Sequence, residues 1–174
     1  MQTYELTCHP ATPARDHLYI HVNLSLEAEN FTIIYGVYGT AWPKMPAFKT
    51  PKRSNGLWQT TCFELFVRPD TGSTYYEFNF SPSSQWAAYE FDGYREGMRD
   101  LDIPIPKTTK FQDVMRVDLE IKGLNVSRVA IGLSAVIEET DGTKSYWALR
   151  HPPGPPDFHH PNCFTARLPA FGAS

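Results

Sequence analysis

Short segments in which apolar and polar residues alternate recur along this sequence of 174 residues. In the stretch LYIHVNLSLEA, an aliphatic residue occupies every second position from Leu18 to Leu26. Successive side chains of a β-strand point to opposite faces of the sheet, so this pattern predicts a strand with one buried face. Further strands are predicted at FTIIYGVYG, TCFELFVRP, YYEFNF, QWAAYEFDGY, FQDVMRVDLEI, VAIGLSAVIEE, SYWALRH and CFTARLP.

Turn sequences such as DTGS, SPSS and TDGT separate several of these segments. Aromatic residues make up 14% of the chain, which favours strands, and the 15 prolines and 11 glycines interrupt them. No segment shows convincing helical periodicity. We therefore predict an all-β fold, a two-sheet antiparallel β-sandwich that residues 1–174 form as a single domain. Residues 40–57 and 151–162 break the pattern, and loops of this length are usually functional or disordered.

Composition and charge argue against several classes of function. The 16 basic and 19 acidic residues give a net charge of -3, which attracts neither nucleic acid nor an anionic membrane. No apolar run approaches the ~20 residues that span a bilayer, and the first residues lack the pattern of a signal peptide, so we expect a cytoplasmic protein. Three widely spaced cysteines without a CxxC pair argue against disulfides and structural zinc.

Polar residues stand between aromatic residues in the predicted strand YYEFNF. Alternation places Tyr76, Phe78 and Phe80 on the core face and Glu77 and Asn79 on the outer face. Carboxylates and amides beside aromatic rings suit a sugar, which stacks its apolar face on an indole and hydrogen-bonds through its hydroxyls. The candidate ligand-binding residues are Trp58, Glu64, Glu77, Asn79, Trp86, Trp147 and Arg150, with Trp42 as a further stacking candidate. The alternative is that the polar residues are only solvated and the tryptophans belong to the core.

A proline-rich segment with three histidines, HPPGPPDFHHPN, follows the predicted strand SYWALRH. Histidine and methionine can ligate a haem iron, and histidine also binds other metals. The candidates for a haem or metal site are His151, His159, His160, Met45 and Met98. The alternative is a rigid loop that covers a sheet edge or one end of the sandwich. The basic segment at residues 42–53 similarly suits either a solvated loop or the rim of a site for an anionic ligand.

The sequence shows no catalytic motif. A nucleophile elbow, a phosphate-binding loop, an HExxH pair and a Ser–His–Asp arrangement are all missing. Glu64 and Glu77 on neighbouring strands resemble the carboxylate pair of a glycosidase, but the sequence does not fix their separation. We therefore expect a protein that is not an enzyme.

Two stretches of the sequence together indicate a family. GLWQTTCFELFVRPDTGSTYYEFNFSPSSQWAAYEFDGYREGM and SYWALRHPPGPPDFHHPNCF resemble the bacterial DOMON-like domains, which are relatives of the family 9 carbohydrate-binding modules. The resemblance extends over residues 15–168 and implies a β-sandwich that binds a ligand without catalysis. Trp58 stands where the motif has its tryptophan, and Glu64, Glu77 and Asn79 match the motif strands.

The resemblance implies two kinds of ligand: a sugar held between tryptophans, or a haem held by methionine and histidine. Family 9 modules also carry structural calcium, but the spacing of a calcium loop is missing here. We predict a carbohydrate-binding domain for a mono- or oligosaccharide, without a cofactor. A haem- or metal-binding carrier or sensor and a protein-interaction domain stay open as alternatives. The identity of the ligand and the oligomeric state are not determined by the sequence.

Overall fold

The computed structural model describes residues 1–15, 17–39, 43–122, 124 and 128–168. Within these residues the chain forms twelve β-strands, two short 3-10 helices and no α-helix. The strands are β1 (Gln2–Cys8), β2 (Leu18–Glu27), β3 (Asn30–Gly39), β4 (Cys62–Pro69), β5 (Tyr75–Phe80), β6 (Trp86–Phe91), β7 (Arg99–Asp100), β8 (Lys107–Phe111), β9 (Val114–Glu120), β10 (Val129–Glu138), β11 (Lys144–Ala148) and β12 (Ala166–Leu168). The 3-10 helices are Leu57–Gln59 and Pro161–Cys163.

The strands form two antiparallel layers, which confirms the predicted two-sheet sandwich. The first sheet has the order β8-β9-β3-β2-β1, and the second has the order β7-β6-β5-β4-β10-β11. Strand β12 pairs with the first residues of β10. Strand β1 pairs with β2 through most of its length and with β11 at its end, so it connects the two sheets.

The main core lies between the sheets and contains the apolar residues that the alternation predicted. Strand β2 contributes Leu18, Ile20, Val22 and Leu24, all of which are buried. The facing strand β5 contributes Phe78 and Phe80. Burial of aliphatic and aromatic side chains is the dominant favourable contribution to folding, at roughly 1.5–3 kcal/mol for each large side chain.

The second sheet is buried on both of its faces. On the outer face a separate cluster of buried apolar residues contains Phe66, Tyr75 and Ala130, together with Phe158 of the proline-rich loop and Phe164, which follows that loop. A strand that is buried on both faces needs no polar alternation, which explains why β10 has the nearly continuous apolar sequence VAIGLSAVIE. The loop therefore covers a sheet face, and it determines which residues of that face stay accessible.

Three strands were missed by the sequence analysis. Strand β1 precedes the first predicted segment, and β7 has only two residues. The segment FQDVMRVDLEI is not one strand, because Phe111 ends β8 and Val114 begins β9. Gln112, in the turn between them, adopts a positive φ of 48°. That turn reverses the chain, so β8 pairs with β9 as an antiparallel edge strand.

Candidate functional site

A cavity of about 590 Å³ opens on the outer face of the second sheet. The sheet forms its floor, and the proline-rich loop and the segment before β4 form its walls. We call it the acidic cavity, after the two glutamates among its lining residues. It is lined by Asn55, Gly56, Trp58, Glu64, Glu77, Tyr89, Phe91, Arg95, Met98, Val136, Tyr146, Pro156, Phe158 and His159.

The strand register brings the polar residues of the floor together. Glu64 on β4 lies opposite Ser134 on β10 and opposite Asn79 on β5. In an adjacent row, Glu77 on β5 lies opposite Tyr89 on β6. Directly paired residues of neighbouring strands share a face of the sheet, so all five side chains are on the outer face.

The two glutamates are buried although they lie on an outer face. Glu64 is 3% exposed and Glu77 is 7% exposed. The Ser134 hydroxyl donates a hydrogen bond to Oε2 of Glu64 over 2.9 Å. The Asn79 amide donates to Oε1 of Glu77 over 2.7 Å. These partners hold both carboxyl groups in place, and the carboxyl groups line the floor of the cavity rather than an open surface.

Burial raises the pKa of both carboxyl groups. The pKa of Glu64 rises to about 8, mainly through desolvation and also through the charge of Glu77, while the hydrogen bond from Ser134 opposes the rise. Desolvation raises the pKa of Glu77 to about 7, against the opposing hydrogen bond from Asn79 and the charge of Arg95. At neutral pH the floor therefore carries both a carboxylic acid that can donate a hydrogen bond and a partly ionised carboxylate.

His159 forms the wall next to Glu77. Its Nδ1 lies 2.8 Å from the Tyr75 hydroxyl, and its Nε2 lies 3.7 Å from Oε2 of Glu77. The backbone N–H of Arg95 donates to the Tyr75 oxygen over 3.2 Å. We therefore assign the Tyr75 hydroxyl as the donor to Nδ1 of His159, and we place the ring proton of His159 on Nε2. Burial lowers the pKa of His159 to about 4, so the ring is neutral at physiological pH.

Asp157 fixes the shape of the loop that carries His159. One of its oxygens accepts hydrogen bonds from the Arg95 side chain over 2.7 Å and from the backbone N–H of His159 over 3.2 Å. Its other oxygen accepts a hydrogen bond from the hydroxyl of Tyr94. Among the described residues that line the acidic cavity, Arg95 is the one arginine, and it forms its ion pair with Asp157.

Trp58 supplies an aromatic surface at the edge of the cavity. It lies in the 3-10 helix Leu57–Gln59, which begins after Gly56. Gly56 has a φ of 71°, a left-handed conformation that glycine adopts without strain. Leu57 is buried in the outer cluster, whereas Trp58 is 52% exposed and lines the acidic cavity.

The structure separates the predicted ligand-binding residues into two groups. Trp58, Glu64 and Glu77 line the acidic cavity, and Asn79 lies beneath it as the hydrogen-bond donor to Glu77. Trp86 and Trp147 do not line it, because both are buried in the main core between the sheets. Arg150 is exposed and lies outside the cavity lining. Trp42 lies outside the described residues.

The predicted haem or metal ligands are also divided. Met98 and His159 line the acidic cavity. His151 packs against the ring of His9 and donates from Nε2 to the Thr7 carbonyl over 2.8 Å. The remaining two, His160 and Met45, lie elsewhere: His160 accepts from the N–H of Asn162, and Met45 lines a small crevice beside Phe63. In the described part of the chain, no group of three or more His, Cys, Asp or Glu is placed to hold a metal ion.

Two basic residues of the segment 42–53, Lys44 and Arg53, contact residues of the second sheet and the segment next to it. Lys44 forms an ion pair with Glu138 over 3.0 Å. The guanidinium of Arg53 lies 4.6 Å from the ring centroid of Trp86 and donates to the carbonyls of Ala88 and Leu101. These two basic side chains therefore hold the segment against the second sheet, and neither lines the acidic cavity.

Several residues of the cavity were not found by the sequence analysis. Tyr89 was within a predicted strand, and its position opposite Glu77 could have been derived by continuing the hairpin register into that strand. Arg95, Asn55 and Phe158 come from loops, where no periodic pattern predicts the direction of a side chain. Tyr146 lies on β11, which joins the floor only through its pairing with β10.

The raised pKa values predict how stability changes with pH. A carboxyl group whose pKa is higher in the folded protein than in the unfolded chain stabilises the fold at low pH, and this contribution is lost as pH rises through the folded pKa. The lowered pKa of His159 makes the folded protein less stable as pH falls, but this effect is confined to pH values below the unfolded pKa of 6.5. We therefore expect the free energy of unfolding to fall by about 2 kcal/mol between pH 6.5 and 8.

Urea unfolding at the two pH values measures this loss. In Glu64→Gln the decrease should be clearly smaller, whereas Glu90→Gln should retain it, because Glu90 lies on β6 outside the cavity and pairs with Arg99. An equal decrease in Glu64→Gln and in the unmodified protein would show that Glu64 does not titrate in this range.

Neither a protein-family model nor a curated protein sequence matches this chain. Among solved structures, it is similar to a candidate carbohydrate-binding protein from Bacteroides uniformis ATCC 8492, with 11% sequence identity, a TM-score of 0.66 and coverage of 95% of this chain and 84% of that one. It is also similar to a family 9 carbohydrate-binding module from Caldicellulosiruptor kristjanssonii in complex with cellotriose, with 13% identity, a TM-score of 0.52 and coverage of 98% and 84%.

At these identities the similarity concerns the fold. The predicted resemblance to family 9 carbohydrate-binding modules is confirmed at that level, and the DOMON part of the resemblance stays a prediction. Within the described residues, no helix has the length and apolar character that crossing a bilayer requires.

Proposed function

We propose that this chain binds a neutral mono- or oligosaccharide in the acidic cavity and does not act on it chemically. One observation carries the proposal: the half-exposed indole of Trp58 and the carboxyl groups of Glu64 and Glu77 line the same cavity. A sugar ring presents an apolar face that suits the indole and hydroxyl groups that suit the carboxyl groups. The cavity volume of about 590 Å³ is in the range of small-molecule sites.

The other polar groups of the cavity support the same class of ligand. The Tyr89 hydroxyl donates to the side-chain oxygen of Asn55 over 2.9 Å, so each residue keeps further hydrogen-bonding capacity for a ligand. The structural relatives support it as well, since one is a candidate carbohydrate-binding protein and the other is a family 9 module in complex with cellotriose.

The position of the two glutamates favours binding over hydrolysis. A glycosidase places its acid and its second carboxylate on either side of the scissile bond. Glu64 and Glu77 lie on the adjacent strands β4 and β5 and on the same face of one sheet. Both therefore approach a bound sugar from the floor of the cavity, which suits hydrogen bonding to neighbouring hydroxyl groups.

A glycan array tests the proposal and identifies the saccharide. The unmodified protein should bind one group of related glycans, and Glu77→Gln should lose that signal. Glu90→Gln, the same substitution on the neighbouring strand β6, should keep it. If no glycan is bound, or if Glu77→Gln binds as the unmodified protein does, the acidic cavity is not a saccharide site.

Haem binding is the second candidate function, because Met98 and His159 line the same cavity. These residues fit a haem only in part: Nδ1 of His159 faces the Tyr75 hydroxyl, and Nε2 faces Glu77. Our proposal predicts an absorbance spectrum without a Soret band for protein purified from haem-supplemented cells. A stoichiometric Soret band that is lost in His159→Ala would replace the saccharide proposal with a haem site.

A further inference from the structure

A second cavity, of about 500 Å³, lies on the other side of His159. It opens on the same outer face of the second sheet, and His159 lines both cavities. Its distinguishing residues are Arg68 on β4 and Arg167 on β12, so we call it the arginine cavity. The saccharide proposal does not involve it.

The strand register places the two arginines on either side of a small residue. Arg68 and Arg167 are both paired with Ala130 on β10, one on each side of that strand. Neighbouring strands lie about 4.8 Å apart, so the two Cα atoms are roughly 10 Å apart. Paired residues share a face, and the side chain of Ala130 is too short to fill the space between two arginines.

Both guanidinium groups are positioned by Phe164. The guanidinium carbon of Arg68 lies 5.0 Å from the centroid of the Phe164 ring. Nη1 of Arg167 donates to the carbonyl of Phe164 over 2.8 Å and to that of Ala166 over 3.2 Å. Among the described residues, the other N–H groups of Arg167 have no hydrogen-bond partner, and its side chain is exposed.

Neither arginine has an anionic partner in the described part of the chain. The ion pairs there involve other basic residues, and Asp70, the one carboxylate that lines the cavity, pairs with neither arginine. Two uncompensated positive charges at this separation repel each other, and an anion placed between them would relieve the repulsion.

The chemistry of the lining defines the class of ligand. A guanidinium matches the oxygens of a carboxylate or a phosphate through parallel hydrogen bonds. Tyr94, which is half exposed, and Phe164 provide apolar surface beside the arginines, and the volume exceeds what a bare inorganic ion requires. We propose that the arginine cavity binds a ring-bearing oxyanion, either a sugar acid or a sugar phosphate, through Arg68 and Arg167.

Calorimetric titrations with glucuronate, glucose 6-phosphate and glucose test this proposal. At least one of the two acids should bind, and its affinity should fall as NaCl is added. The acid that binds more tightly shows whether the site prefers a carboxylate or a phosphate. Arg167→Gln and Arg68→Gln should each weaken that binding at least about tenfold. Trp58→Ala should leave it unchanged, which separates this site from the acidic cavity.

Arg116→Gln is the matched control, because Arg116 is exposed on the first sheet and paired with Asp118. Arg167 is exposed, so its substitution should not affect folding, and Arg68→Lys keeps a positive charge if Arg68→Gln proves unstable. The proposal is overturned if neither acid binds at millimolar concentrations, or if binding is the same in Arg167→Gln as in Arg116→Gln. Neither outcome would affect the saccharide proposal, because that proposal rests on Trp58 and Glu77, which are intact in these variants.

Discussion

Glu77→Gln is expected to weaken saccharide binding by about tenfold or more. A hydrogen bond to a charged group contributes about 1.5–3 kcal/mol, which corresponds to roughly 10- to 150-fold in affinity. The glutamine side chain has the same size and keeps an oxygen that can accept from the Asn79 amide, so the fold should be retained. Calorimetric titration measures the affinity, and thermal unfolding checks the fold.

The choice of glutamine follows from the burial of this site. Glu77 is 7% exposed and Asn79 is 1% exposed, so alanine at either position would leave a buried polar partner without its hydrogen bond. Such a variant could lose binding only because it is destabilised. Glu90→Gln should bind like the unmodified protein; equal affinity in Glu77→Gln would remove Glu77 from the proposed site.

Trp58→Ala is expected to weaken saccharide binding by about tenfold, with little change in stability. A ligand that covers about 60 Å² of the indole gains about 1.5 kcal/mol from apolar contact alone, and this corresponds to about tenfold in affinity. The indole is already 52% exposed, so its removal should leave no large cavity in the core. Calorimetric titration and thermal unfolding measure the two quantities.

Phe111→Ala is a suitable comparison, because Phe111 is a highly exposed aromatic residue on β8 of the first sheet. It should change neither affinity nor stability. Trp58 should also report binding directly through its fluorescence, while Trp86 and Trp147 are buried in the main core. Full affinity in Trp58→Ala would show that the ligand does not stack on this indole.

The fold was largely predictable because its main signals are local. Alternation determined the faces of β2, β4 and β5, and the short DTGS turn determined the register that places Glu64 beside Asn79. The same register, continued into β6, would also have excluded Trp86 from the face of the sheet that carries the glutamates. Trp86 lies opposite Phe80, a core residue, so its side chain points away from the glutamates.

The cavity itself could not be predicted, because it depends on contacts between distant segments. The proline-rich loop was recognised as irregular, but the packing onto Phe66 and Tyr75 arises from His159 of this loop and from Phe164 just after it, which no periodic pattern connects to those strands. That packing converts a predicted polar surface into an enclosed site. It also explains why Glu64 and Glu77 have raised pKa values.

The most direct test of the central claim is a calorimetric titration of the unmodified protein and Glu77→Gln at pH 8, where Glu77, with a pKa of about 7, is largely ionised. The titrants are glucose and short oligosaccharides, together with the best ligands from the glycan array. Our account predicts saturable binding by the unmodified protein and a loss of about tenfold or more in the variant. Absence of saturable binding by the unmodified protein, or equal affinity in the two proteins, would contradict it.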